Sequence, residues 1–117
     1  MLLMKYWGNM KMNKYVYDNL TIENTKELME MLNFLLDNDM ISITEYNWWE
    51  DNTTIGLQLK SDLLTLALND IENMLDDLYD NRDEDYNIRS KKARYVKYIR
   101  LIIEKHLYMI DEVLNNE

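Results

Sequence analysis

The last quarter of the chain carries the clearest alternation of apolar and polar positions. From about Asn87 to Leu114, Val96, Ile99, Ile102 or Ile103, Ile110 and Val113 recur at helical spacing, with His106 on the same stripe. Ser90 is a candidate cap for a slightly later start, and no residue at the far end marks a stop. A second run covers Ser61 to Tyr79, where Leu64, Leu68, Ile71, Leu75 and Leu78 keep a three-four spacing beside Leu63, Ala67 and Met74. Ser61 or Asp62 is the expected N-cap of this helix. The polar stretch Asp80-Asn81-Arg82-Asp83-Glu84-Asp85 breaks the period, so the two runs predict a long antiparallel helical hairpin.

Upstream, Asn24 and Glu27 stand at capping-box spacing before Leu28, Met31, Leu32, Leu35 and Leu36. That pattern predicts a third helix, ending at Asp37-Asn38-Asp39. Residues 40–60 carry two patterns at once. Ser42 and Glu45 form another capping-box pair, which predicts a short helix through Trp49. Ile41 to Thr44 and Ile55 to Leu59 instead alternate with period two around Glu50-Asp51-Asn52, as a β-hairpin would. The helix is the favoured expectation and the hairpin the alternative. In residues 1–20, Leu3, Trp7, Met10 and Tyr17 approximate a helical stripe, whereas Met10, Met12 and Val16 suit a strand. A loosely packed arm is the expectation there. The whole predicts one mainly α domain over residues 1–117, a small helical bundle built on the C-terminal hairpin.

Composition narrows the chemistry. The chain has 117 residues, two glycines, no proline and no cysteine. Disulfides, thiolate metal sites and cysteine nucleophiles are therefore excluded, and a single histidine leaves no ordinary zinc site. Gly8 and Gly56 cannot build a phosphate-cradling loop. No cofactor or metal is expected. No stretch approaches the length of a membrane span and no targeting segment is visible, so a cytoplasmic protein that does not engage membranes is expected. Nine Tyr and nine Met, beside many Ile, Asn and Lys, suggest an AT-rich gene. Small acidic chains from such genomes are often encoded by phages, viruses or mobile elements.

Charge sharpens the picture further. The formal net charge is −9, yet it is the remainder of opposed blocks. From Asp62 to Asp85 there are nine acids (Asp62, Asp70, Glu72, Asp76, Asp77, Asp80, Asp83, Glu84, Asp85) and one base, Arg82. From Tyr86 to Lys105 there are seven bases (Arg89, Lys91, Lys92, Arg94, Lys97, Arg100, Lys105) and one acid, Glu104. Asp76, Asp77 and Asp80 crowd a helix C-terminus while Lys91, Lys92 and Arg94 crowd an N-terminus, both against the helix dipole. A hairpin brings those ends together, so the blocks can offset each other.

Two functional expectations follow. The acids left facing outward suit a partner protein with a basic surface, and the contact residues would be Asp76, Asp77, Asp80, Asp83, Glu84 and Asp85. Trp48 or Trp49, beside Tyr46, would supply an aromatic anchor. The alternative is nucleic-acid binding by the segment 89–105, through Lys91, Lys92, Arg94, Lys97, Tyr98 and Arg100, where bases alternate with aromatics. A net −9 field repels polynucleotides, which ranks the protein partner first. A non-enzymatic acidic inhibitor of a host protein, by analogy with anti-CRISPR proteins, is the resulting expectation. A homodimer is also compatible with so long an apolar stripe.

Two smaller motifs point elsewhere. Asp83-x-Asp85-x-Asn87 matches the first three ligand positions of an EF-hand loop, but Ile88 replaces its glycine and Arg94 its final glutamate. Arg100-Leu101-Ile102-Ile103-Glu104-Lys105-His106 resembles the Arg-x(4–6)-His signature of HEPN-type ribonucleases, small helical bundles. The resemblance implies Arg100 and His106 acting on a scissile phosphate without metal. Leu101 stands where that family usually has a polar residue, and six positions turn Arg100 about 120° from His106 on a helix.

Overall fold

A computed structural model describes residues 21–80 and 85–116. These form helix α1 (Ile22–Asp37), helix α2 (Ile43–Asn47) continued by a 3-10 turn (Trp48–Glu50), and the long helices α3 (Thr54–Asp80) and α4 (Tyr86–Asn115). The two long helices are the expected hairpin. The α1 helix lies antiparallel to α4, since Lys105 Nζ donates to Asn24 Oδ1 and Glu27 Oε2, Tyr98 donates to Glu30, and Phe34 meets Tyr95 edge to face at 5.5 Å. Leu57, Leu64, Ile71 and Leu75 of α3 meet Val96, Ile99, Ile103 and Ile110 of α4, and Met31 and Leu35 of α1 close the core. The expected arm, residues 1–20, lies outside the described residues.

Helix ends follow local chemistry. At α1 the cap is Thr21, whose Oγ1 accepts the Asn24 N–H at 3.2 Å. The expected box of Asn24 and Glu27 is not formed, because both side chains turn to Lys105 instead. After Asn38, the chain takes a left-handed step at Asp39 (φ 57°), and Met40 N–H donates back to the Leu35 carbonyl at 2.9 Å. With Asp39 N–H donating to Leu36, this is a Schellman ending in which Asp takes the usual place of Gly. The Ser42–Glu45 capping box forms in full.

The period-two alternative in the middle of the chain is overturned: among the described residues there is no strand. Ile55 to Leu59 belong to α3, which begins at Thr54, seven residues before the expected cap. Ile55 and Leu59 face outward, while Gly56, Leu57, Lys60 and Ser61 are buried. The helical stripe therefore continues upstream through a lysine and a serine, which hid it from an apolar count. Ser61 caps nothing; its hydroxyl donates to Asp111 Oδ1 at 3.0 Å across the hairpin. The helix starts where Thr53 Oγ1 accepts the Gly56 N–H at 3.1 Å. Gly56 is required there, because a Cβ would sit 2.6 Å from the Asp51 carbonyl oxygen.

Candidate functional site

The corner end of the hairpin gathers most of the residues singled out by charge. Asp76, Asp77 and Asp80 are exposed on the last turns of α3, and among the described residues no ion pair reaches them. Asp83 and Glu84 lie outside the described residues. Asp85 has a structural task of its own within the fold. Its Oδ1 accepts the N–H groups of Asn87 at 2.8 Å and Ile88 at 3.3 Å, so it caps α4. A carboxylate at that N-terminus also favours the helix dipole. The cap takes over the same carboxylate that the EF-hand match had used.

The basic block does not form one surface. Successive residues on a helix are turned by about 100°, so a run of bases is distributed around it. Arg100 bonds Glu72 of α3 and Glu104 of its own helix, each at 3.0 Å, and both hold the guanidinium pKa above its ordinary value. Lys105 pairs with Glu27 of α1 at 2.8 Å. Tyr98 turns to Glu30, and partial burial beside that carboxylate pushes its hydroxyl pKa up. Lys91 and Lys92 face one side of the hairpin, whereas Arg89, Arg94 and Lys97 face another. The expected pairing of acidic and basic blocks thus occurs partway down the hairpin, at Arg100 and Glu72, and leaves Asp76, Asp77 and Asp80 without an ion pair among the described residues.

Beside those acids is an open groove of about 650 Å³, between the end of α1, the last turns of α3 and the start of α4. Phe34, Met74, Leu78 and Val96 form its apolar floor; Asp77 stands on one rim, Lys91 and Lys92 on the other. The floor draws on three separate helices, so no single stretch of sequence announces it.

The tryptophans and the histidine are held elsewhere. Trp49 is half-buried against the core, with Lys60 Nζ 5.4 Å from its ring centroid. Lys60 is fully buried and donates to the Trp49 carbonyl at 3.1 Å and to Asn52 Oδ1 at 3.0 Å. Burial pulls its pKa down from 10.5 to about 8, against the opposing charge of Asp51. Trp49 thus belongs to a pin that ties the 3-10 turn to α3. Trp48, also half-buried, is outside the core cluster and is the more available of the two. His106 is fully buried, and burial, with Lys105 next to it, pulls its pKa from 6.5 to about 4. Arg100 is held by two glutamates at the surface while His106 sits in the core, so the two are not presented to a common substrate.

Lys60 is the buried residue that sequence reasoning missed. Its signal was its register, between Leu57 and Leu64 on the same stripe. No helix among the described residues is long and apolar enough to cross a membrane. No protein-family model, curated protein or solved structure matches the chain.

Proposed function

We propose that this protein is a non-enzymatic binding protein that applies the acidic corner of its helical hairpin to a basic surface of a partner protein and blocks it sterically. The observation that carries this reading is the uneven spending of charge. Arg100 and Lys105 are taken up by Glu72, Glu104 and Glu27, while Asp76, Asp77 and Asp80 stay exposed without an ion pair among the described residues. Three carboxylates at a helix C-terminus oppose the dipole, and a cationic partner relieves that cost. The neighbouring groove adds an apolar floor for an anchoring side chain, the combination found at binding hot spots. The AT-biased composition supports a phage, virus or mobile-element origin, with a host protein as the target.

The test is retention of host proteins on the immobilised chain, compared with the Asp76→Lys/Asp77→Lys/Asp80→Lys variant. The expected result is a partner held by the parent chain, released by salt, and lost from the variant. A partner retained equally by both would overturn the acidic-corner assignment. Loss of binding in Phe34→Ala with the acids intact would add the groove to the contact surface.

A further inference from the structure

A second, smaller cleft of about 200 Å³ opens between the last turn of α3 and the first three turns of α4, sharing Leu78 with the groove. Every charged residue lining it among the described residues is a cation: Arg89, Arg94 and Lys97. Neither Asp76 nor Asp80 of the neighbouring helix lines it. In a chain of net charge −9 this concentration of positive charge stands against the background.

Among the described residues its cations also lack the acidic partners that other bases of the same helix have. Arg100 and Lys105 find glutamates, but Lys97 sits over the Tyr79 ring at 5.4 Å and Arg89 over the Tyr86 ring at 6.0 Å. Arg94 Nη2 donates only to Ser90 Oγ, at 3.3 Å. The Nε of Arg89 is buried with no hydrogen-bond partner among the described residues. Among the described residues none of the three makes an ion pair. Aromatic faces and one hydroxyl compensate guanidinium and ammonium groups only in part.

We infer that this cleft binds a phosphate monoester. A tetrahedral dianion presents several acceptor oxygens at once, which suits two guanidiniums and an ammonium converging from one helix face. The small volume admits the phosphoryl group and leaves its organic portion at the mouth, where Tyr79 and Tyr86 are 55% and 73% exposed. A polynucleotide is disfavoured, since its length would run into the acidic remainder of the surface.

The test titrates the full chain with sodium phenyl phosphate and, separately, inorganic phosphate, at constant ionic strength against sodium chloride, followed by amide NMR shifts. Saturable binding centred on Arg89, Arg94 and Lys97 is expected. Arg89→Gln and Lys97→Gln each weaken it by about tenfold, the scale of a lost charge-assisted hydrogen bond, while Lys91→Gln leaves it unchanged. Lys91 and Lys97 are exposed and Arg89 is half-buried on α4, and circular dichroism verifies that the variants are folded. Saturation by phenyl phosphate alone identifies an organic ester as the source, and saturation by both identifies the free ion as sufficient. No saturation by either, a response matched by chloride, or equal weakening by Lys91→Gln would overturn the assignment. An RNA or DNA oligomer that binds more tightly through the same three residues would overturn it in favour of a polynucleotide surface.

Discussion

Two buried ionisable residues set the behaviour of the core toward pH, and they act in different windows. His106 is neutral when folded, because its pKa is pulled down to about 4. Between pH 6.5 and 4 the unfolded chain binds more protons than the folded one, so stability falls as pH falls through that window. His106→Leu should remove this dependence, worth on the order of 3 kcal/mol over the full shift. Urea denaturation of both proteins from pH 7 to 4 checks it, the difference between them cancelling the carboxylates they share. Lys60, with its pKa pulled down to about 8, is charged in the folded state at pH 7 at a desolvation cost. As pH rises from 8 to 10.5 the unfolded chain again holds more protons, and the parent chain should gain stability over Lys60→Met, by a similar amount of about 3 kcal/mol. A parallel course of the two proteins across that window would show that Lys60 keeps an ordinary pKa. His106 was legible as a core residue from its place on the stripe. Lys60 was not, because its charge reads as surface until Trp49 and Asn52 are seen to close over it.

Helices and their ends were legible to different degrees. The α4 stripe and the Ser42–Glu45 box were readable because they rest on contacts within a turn or two of sequence. The start of α3 was not, since its first two turns bury Lys60 and Ser61, whose partners Trp49, Asn52 and Asp111 come from elsewhere in the chain. The cap of α4 shows how one residue can be read two ways. Asp85 belongs to the acidic block by sequence, yet its carboxylate is committed to two backbone N–H groups. Asp85→Ala should therefore cost about 1 kcal/mol of stability, and Asp85→Asn much less, as measured by chemical denaturation. Neither change should release a partner that depends on Asp76, Asp77 and Asp80.

Across the whole molecule, charge is paired along the hairpin and works against stability at its corner. Asp76, Asp77 and Asp80 repel one another at the end of α3 where the dipole already disfavours them. The triple lysine variant that should abolish partner binding should consequently unfold at a higher temperature than the parent chain. The gain should be largest at low salt and shrink as ionic strength screens exposed charges. Thermal unfolding in about 20 mM and about 500 mM salt, between which the Debye length shrinks roughly fivefold, separates this from a packing effect. A lower midpoint for the variant would mean that the corner acids have stabilising contacts within the fold. The opposite behaviour is expected on α4, where Arg89, Arg94 and Lys97 crowd one cleft and an added anion should stabilise the folded chain by mass action.

By itself the sequence determined what is local or periodic. A helical repeat can be read from spacing, a capping box from two residues three apart, and the absence of cysteine chemistry from a count. It also determined that charge is segregated, since block composition needs no coordinates. Only the tertiary structure decided which charges are spent. A helix turns each successive side chain by about 100°, so neighbours in sequence part company in space. Lys91 and Lys92 end beside the groove, Arg94 and Lys97 at the second cleft, and Arg100 on Glu72. That scattering, together with the packing of α1 on α4, leaves the corner acids exposed and the cationic cleft unpaired among the described residues.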